Sequence, residues 1–250
     1  MVKTRYAALD ELRGLTVLVM IAYHAVWDVV YIFGVKLPWF HSQGAYIWQQ
    51  AICCTFIFIS GVCQHFGRRR VRRAALIFAL GAAITAATGL AMPENIIIFG
   101  ILTLIGSAKL ICLALEGVLR RVDAGAGALI SLAAFALTKN IGRGYIGLGG
   151  AKLFVLPRAL YANLLSAYLG FPGRDFLSAD YFPLLPWLFL FLCGYFSYRV
   201  AEGRGWLKCL EAGRCKALEW LGRRALWLYI LHQPLLFVLL WGGFELARAI

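Results

Sequence analysis

Charged residues are scarce in this 250-residue chain, in which Asp, Glu, Lys and Arg together make up 15% of the sequence. Hydrophobic residues reach 62%, whereas an average soluble domain has roughly 45–50%. This composition excludes an ordinary soluble protein and indicates an integral membrane protein. A soluble second domain, a long internal repeat and a low-complexity linker are also missing, so we interpret residues 1–250 as one membrane domain.

Metal-binding motifs are missing as well. Cys209 and Cys215 have neither the C-x₂₋₄-C spacing nor the histidine partners of a zinc site. All cysteines fall in apolar runs or in a predicted cytoplasmic loop, where disulfides are not favoured. We therefore expect free thiols and no bound metal. The remaining cysteines are Cys53, Cys54, Cys63, Cys112 and Cys193.

The chain is instead rich in long apolar runs. Seven of them, allowing for short or interrupted ones, are long enough to cross a bilayer as helices. They lie near 15–33, 46–63, 74–92, 96–115, 124–138, 182–198 and 225–244. The sequence therefore predicts an all-α polytopic membrane helix bundle with about seven transmembrane helices.

The basic residues predict the orientation of these helices, because cytoplasmic segments of membrane proteins collect Lys and Arg. With seven spans and a cytoplasmic N-terminus, the opposite side receives far fewer basic residues. The net charge of +13 then faces anionic lipids, and no nucleic-acid partner is needed to explain it. The predicted cytoplasmic residues are Lys3, Arg5, Arg13, the run Arg68 to Arg73, Arg120, Arg121 and the seven Lys and Arg from Arg199 to Arg224.

Segment 151–170 is the alternative candidate for an eighth span. Pro157, Arg158 and Asn163 favour an interfacial or re-entrant segment instead. An eighth span would also move the last basic loop to the outer side. We therefore predict seven spans, with the C-terminus outside and the long segment 140–181 forming an outer loop.

Polar residues form a stripe along the first apolar helix. Arg13 and His24 are eleven residues apart, so at 100° per residue they lie within about 20° of each other around the helix. Asp10 and Asp28 lie within about 60° of Arg13. A charged side chain at membrane depth costs roughly 3 kcal/mol or more unless it is paired or hydrated. The stripe therefore predicts a functional cavity.

A second candidate region precedes the sixth predicted helix. Pro183 and Pro186 interrupt the start of that helix and leave backbone carbonyls unpaired nearby. Broken helices beside a cavity often form binding sites. The predicted substrate contacts at this break are Asp180, Tyr181 and Trp187.

Five sequence strings, in this order, resemble a known family. They are LDELRGLTVLVMIAYHAVWD at 9–28, FIFISG at 56–61, FGILTLIG at 99–106, DYFPLLPW at 180–187 and LGRRALWLYILHQPLL at 221–236. Together they resemble bacterial members of the heparan-alpha-glucosaminide N-acetyltransferase catalytic-domain family. The Arg-x₁₀-His pattern from Arg13 to His24 is similar to that of a wider group of membrane acyltransferases that acylate glycans. The resemblance implies a protein of the bacterial inner (cytoplasmic) membrane.

The resemblance also implies a reaction. The family uses acetyl-CoA, reached from the cytoplasm, and acetylates an amine or hydroxyl of a glycan on the far side. The lysosomal relative has its catalytic histidine in the first luminal loop, which His41 matches best, and it carries Asn at the position of His24. In the Arg-x₁₀-His acyltransferases the motif histidine is taken as catalytic. Both His24 and His41 therefore stand as candidate bases.

Chemistry favours His24. A neutral imidazole removes a proton well near neutral pH. His24 lies about 16 Å along the helix from Arg13, near the bilayer midplane, where a cytoplasmic donor and an outer acceptor can meet. Asp28, one turn further along, is predicted to orient its ring.

Four further residues are predicted to bind acetyl-CoA or to line the cavity that holds it. Arg13 is predicted to pair with Asp10 or with a CoA phosphate, and Lys109 to supply another positive charge. His232 and Gln233 are predicted to line the cavity at mid-depth. Direct transfer is preferred over an acyl-histidine intermediate, because a thioester is already activated.

The runner-up class is a proton-coupled transporter or channel that uses the intramembrane His and Asp side chains. Small residues such as Gly81 also permit a homo-oligomer.

Overall fold

The computed structural model describes residues 6–67 and 69–249. Lys3, Arg5 and Arg68, which the charge pattern predicts to be cytoplasmic, lie outside the described residues. Within the described chain, six apolar helices are long enough to cross a bilayer: Ala7–Tyr31, Gln43–His65, Arg70–Ala91, Ala124–Arg143, Leu184–Gly203 and Ala225–Arg248. The chain is an all-α polytopic membrane protein, as its apolar runs predict.

Ten α-helices and two short strands are numbered here along the described residues. The helices are α1 (Ala7–Tyr31), α2 (Gln43–Val62), α3 (Arg70–Ala91), α4 (Ile101–Ala114), α5 (Glu116–Leu119), α6 (Ala124–Thr138), α7 (Leu164–Leu169), α8 (Leu184–Gly203), α9 (Lys216–Arg223) and α10 (Ala225–Ala249). The strands β1 (Tyr145–Leu148) and β2 (Ala151–Val155) pair in antiparallel fashion. Local signals fix several helix ends. The carboxylate of Asp123 caps α6 by accepting the Ala126 N–H at 2.8 Å, and Pro93 follows the end of α3.

The fourth predicted span, 96–115, is shorter than expected. Helix α4 has 14 residues, or about 21 Å of axial length. Phe99 has a positive φ of 56°, so its backbone does not continue a right-handed helix. Residues before α4 pair with the chain before α8 instead, through Ala179 N–H to Ile96 O (3.0 Å) and Phe182 N–H to Phe99 O (2.9 Å).

The chain divides into two compact units. The terminal unit comprises Met1–Phe56 and Glu202–Ile250, and the central unit comprises Ile57–Ala201. The terminal unit contains α1, α9 and α10 and therefore joins helices from both ends of the chain. Helices α2 and α8 each begin in one unit and end in the other.

Helices α1 and α10 run in the same direction in the terminal unit. Going along α1, His24 meets His232, then Asp28 meets Gln233, and after the helix Phe33 stacks on Phe244. Successive membrane crossings alternate in direction, so a parallel first and last span require an odd number of crossings. This alignment is consistent with an odd number of crossings, and the number of seven stays a prediction.

Glycines allow close helix contacts in the terminal unit. A methyl group on Gly14 would lie 2.1 Å from the carbonyl oxygen of Leu218, and one on Gly222 would lie 1.8 Å from that of Asp10. Helices α1 and α9 thus touch backbone to backbone, as small residues permit in membrane proteins. Gly222 comes three residues before the start of α10 and so anchors that start next to α1.

Glycine contacts also join neighbouring helices in the central unit. A methyl group on Gly61 of α2 would lie 1.9 Å from the carbonyl oxygen of Phe191 of α8, and Gly194 has the reciprocal contact with Phe58. Helices α3 and α4 meet in the same way, because Gly106 packs against the backbone of Phe78. These positions admit no larger side chain without movement of a helix.

The segment 151–170, considered as an eighth span, does not form one. It contains β2, a single 3₁₀ turn and the six-residue α7. The side chain of Asn163 caps α7 by accepting the Ser166 N–H at 2.9 Å. Segment 140–181 is thus a structured loop, and Tyr161 fixes it further by donating its hydroxyl to the carbonyl of Ile141.

An ion cluster ties α3 to α5 in the central unit. Glu116 accepts two hydrogen bonds from Arg70, at 2.8 and 2.9 Å, and one from Arg120 at 2.8 Å. The two bonds from Arg70, and after them the one from Arg120, hold the pKa of Glu116 below its usual value despite partial burial. The paired carboxylate therefore stabilises the folded chain at every pH at which it is ionised.

We expect Glu116→Gln to lower the stability of the purified protein at pH 7 by on the order of 1 kcal/mol, because two guanidinium groups lose their carboxylate partner. A depressed carboxyl pKa contributes stability fully above the unfolded value, about 4.3 for Glu. That contribution disappears as the pH falls through the lower folded pKa. Thermal midpoints of both proteins from pH 7 to pH 3 should therefore converge at the acid end. A difference that is unchanged at pH 3 contradicts this account.

Candidate functional site

Four polar side chains of the terminal unit lie at facing positions of α1 and α10. His24 and Asp28 are one helical turn apart on α1, and His232 and Gln233 are consecutive on α10. Asp28 is fully buried, with 0% of its surface exposed, and His232 is 8% exposed. Burial of this kind is costly for polar groups unless partners are supplied.

The two histidines are neighbours. The ring centroids of His24 and His232 are 4.8 Å apart, with the ring planes inclined at 59°. Tyr23 lies edge-on to His24 at 5.9 Å. The site thus contains two imidazoles, supplied by two different helices.

A carboxylate–amide pair lies one turn further along α1. The side-chain N–H of Gln233 donates to Asp28 Oδ1 at 2.5 Å. This bond fixes the orientation of the Gln233 amide, because a carboxylate oxygen requires a donor opposite it. Gln233 Oε1 consequently points away from Asp28 Oδ1.

Three buried atoms of this cluster have no hydrogen-bond partner within the described residues. They are Asp28 Oδ2, His232 Nε2 and Gln233 Oε1. Leaving a buried polar atom unpaired costs roughly 1–3 kcal/mol. Three such atoms on adjacent residues indicate a position for a ligand or for ordered water.

Arg13 and Asp10 lie at the beginning of α1. Arg13 donates to Asp10 Oδ1 at 3.1 Å and to the backbone carbonyl of Gly222 at 3.3 Å. The Arg13–Asp10 pairing is one of the two arrangements that the sequence predicts. Arg13 is about 16 Å along the helix axis from His24.

His41 occupies a different position. It ends a 3₁₀ turn, Pro38–His41, has an exposed side chain, and lies edge-on to Tyr31 with a centroid distance of 6.0 Å. Tyr31 is seven residues beyond His24, or about 10 Å further along α1. Within the described chain, no ring contact or hydrogen bond joins His41 to the His24–His232 pair.

The remaining predicted site residues belong to the central unit. Lys109 donates to Ser60 O at 3.3 Å and to Gln64 Oε1 at 3.2 Å, and its ammonium lies 5.7 Å from the centroid of the Phe191 ring. Trp187 is 7% exposed and packs between Phe135 and Phe182. Contact of Lys109 with acetyl-CoA stays a prediction. The contacts of Trp187 are those of a residue in the hydrophobic core.

Asp180 and Tyr181 precede α8. A methyl group on Gly100 would lie 3.3 Å from Asp180 Oδ2, which places the carboxylate next to the first turn of α4, where a negative charge is favoured. Tyr181 donates its hydroxyl to the carbonyl of Ala167, and burial raises its pKa. Contact of both residues with the glycan substrate stays a prediction.

The comparison with known families covers nearly the whole chain. The family model described as Heparan-alpha-glucosaminide N-acetyltransferase, catalytic, matches residues 5–234. The chain belongs to the heparan-alpha-glucosaminide N-acetyltransferase family. No curated protein and no solved structure matches it.

Membership of the heparan-alpha-glucosaminide N-acetyltransferase family indicates a membrane acetyltransferase. The matched range includes both halves of the cluster, from His24 and Asp28 to His232 and Gln233. Within the described residues, no group of three or more His, Cys, Asp or Glu side chains is placed to hold a metal ion.

One element of the cluster was not anticipated from the sequence. His232 Nδ1 lies 2.5 Å from the backbone carbonyl oxygen of Tyr229. The signal that points to it is Pro234, which lies inside α10 and cannot donate to the carbonyl of Ile230. A proline at this position loosens the helical hydrogen bonding beside the histidine.

Proposed function

We propose that this protein transfers the acetyl group of acetyl-CoA to an amino group of a glycan or amino sugar within the membrane. The observation that supports this best is the cluster of His24, Asp28, His232 and Gln233. Two imidazoles lie there beside a carboxylate–amide pair, and three buried acceptor atoms have no hydrogen-bond partner among the described residues. Acyl transfer requires a base, and imidazole is the side chain best suited to that role near neutral pH.

The unfilled atoms favour an amine over a hydroxyl as acceptor. Asp28 Oδ2 and Gln233 Oε1 are hydrogen-bond acceptors, and His232 Nε2 is one as well because Nδ1 faces a carbonyl oxygen. A primary amine or ammonium group brings two or three N–H donors, whereas a hydroxyl brings one. An amino group therefore supplies hydrogen bonds to more of these acceptor atoms than a hydroxyl does.

The reaction that we propose is a direct transfer. The amine nitrogen attacks the thioester carbonyl carbon, and a C–N bond forms to give a tetrahedral intermediate. The intermediate collapses as its C–S bond breaks, and the sulfur leaves with the bonding electron pair as CoA thiolate. One proton passes from nitrogen to an imidazole, and N–H donors near the carbonyl oxygen stabilise its developing charge.

The donor is proposed to enter from the side at which α1 begins. In the terminal unit this end carries Arg13 and the basic segment around α9. Glu11 orders that segment by accepting the backbone N–H groups of Arg214 and Cys215. Arginine and lysine hold phosphate groups through charge-assisted hydrogen bonds. The nucleotide end of CoA is thus expected here, with its acyl arm directed toward His24.

Glucosamine and glucose differ in one amino group and provide a direct test. We expect purified protein to release CoA from acetyl-CoA at least tenfold faster with glucosamine than with glucose, because only the amine satisfies the cluster. Thiol release and mass spectrometry of the sugar measure the reaction. A preference for glucose indicates O-acetylation. Absence of CoA release, together with proton or solute flux in vesicles, indicates the transporter alternative.

A further inference from the structure

The His232 ring is fixed at one nitrogen and open at the other. Nδ1 lies 2.5 Å from the carbonyl oxygen of Tyr229. A carbonyl oxygen only accepts, so Nδ1 must carry the hydrogen and Nε2 must carry the lone pair. Nε2 is buried and has no hydrogen-bond partner within the described residues. A side chain with one nitrogen held and the other left bare has the arrangement of a general base.

His24 has a different environment. Its described contacts are between rings, with Tyr23 at 5.9 Å and His232 at 4.8 Å. Within the described residues, no hydrogen bond fixes the tautomer of His24. Such a ring can present an N–H to an incoming oxygen, but its lone pair is not aimed by a partner on the opposite nitrogen.

We infer, on the basis of the proposed function, that His232 is the residue that takes the proton from the acceptor amine. His24 then donates a hydrogen bond to the thioester oxygen as it becomes negatively charged. When the C–N bond forms, one N–H proton moves to His232 Nε2 and gives an imidazolium that still donates through Nδ1 to Tyr229. Departure of CoA thiolate as the C–S bond breaks leaves charge balanced, and the imidazolium returns the proton to the thiolate or to water.

Asp28 and Gln233 complete this assignment. Gln233 follows His232 in the chain and donates to Asp28 at 2.5 Å, so the free carboxylate oxygen and the free amide oxygen belong to neighbouring side chains. Either oxygen can accept a hydrogen bond from the N–H that the amine nitrogen keeps. The titratable groups that face His232 are His24 from α1 and Tyr229 from its own helix.

Glutamine substitutions separate the two histidines. A glutamine amide donates a hydrogen bond but does not accept a proton at neutral pH. We expect His232→Gln to lower kcat by about 10²–10⁴-fold, the usual contribution of a general base. Its kcat should also lose the decline toward acidic pH that protonation of a base causes. His24→Gln should stay within about tenfold of wild type and keep that decline.

Two further measurements protect the test against misfolding. Added imidazole should restore part of the activity of His232→Ala, because it can enter the space that the side chain leaves. Leu231→Ala, on the same helix with a half-exposed side chain, serves as the matched control and should behave as wild type. The pH profile of His24→Gln alone also decides the matter, because a missing acidic decline there identifies His24 as the base.

The opposite pattern, with His24→Gln inactive and His232→Gln active, overturns this assignment while the acetyltransferase proposal stands. Equal losses in both variants, each with a flat pH profile, overturn it as well. A wild-type protein that releases no CoA with any amino sugar defeats the proposed function itself. The two hypotheses therefore fail through different observations.

Discussion

Acetyl-CoA supplied only to the face at which α1 begins should support acetylation of an amine enclosed on the other face. In sealed vesicles of one orientation, we expect product with donor on this face and none with donor on the opposite face alone. The reason is that Arg13, which bonds α9 at Gly222, lies about 16 Å along α1 from His24, and arginine and lysine hold the phosphates of CoA. The N-acetyl product is measured inside the vesicles after external sugar is removed.

Orientation is the essential control in this experiment. Protease cleavage in the exposed basic segment between α8 and α9, from outside, reports which vesicles present that end of the molecule. Detergent should make activity independent of the side on which donor was added. Product formed only with donor at the opposite face would contradict both the predicted topology and transfer across the membrane.

Asp28→Asn should change activity and stability in opposite directions. Loss of the buried carboxylate removes the charged acceptor for an N–H of the attacking amine, and a hydrogen bond to a charged group is worth about 1.5–3 kcal/mol. We therefore expect kcat/KM for glucosamine to fall by at least about tenfold. The folded protein should become more stable, because a fully buried carboxylate with an unpaired oxygen is costly without ligand.

Steady-state kinetics and thermal midpoints in the same detergent measure these two effects. Asp10→Asn provides the comparison, since Asp10 is paired with Arg13 at the helix start and is not part of the cluster. A variant at Asp28 with unchanged kcat/KM, or with a lower thermal midpoint than wild type, would show that the carboxylate has a structural role only.

Helix lengths were largely readable from the sequence, because apolar runs respond to the thickness of the bilayer. The exception was the run 96–115. Its first residues form backbone hydrogen bonds with residues near Ser178, which also bonds both the N–H and the carbonyl of Ile98 at 2.9 Å. A pairing between segments about eighty residues apart leaves no trace in the periodicity of either one.

The candidate site divides in the same way. His24 and Asp28 could be placed on one helical face from spacing alone, since 100° per residue is a local property. The sequence also places His232 and Gln233 in the cavity, but it does not predict that His232 lies against His24 and that Gln233 bonds Asp28, because these pairings arise only from contacts between the two ends of the chain. The hydrogen bond from His232 to Tyr229 also depends on how α10 accommodates Pro234.

The joining of both chain ends in the terminal unit matters while the protein is being made. Gln233 follows Asp28 by 205 residues, so a ribosome adding about 5–20 residues per second produces it roughly 10–40 s later. During that interval the Asp28 carboxyl has no amide partner, and a charged group at membrane depth costs roughly 3 kcal/mol. Until α10 is synthesised and inserted, α1 must therefore stay in a hydrated or protein-lined environment such as the insertion machinery. A truncated chain that lacks α10 would keep the Asp28 carboxyl unpaired in its first helix, and membrane proteases that recognise exposed polar groups would degrade it.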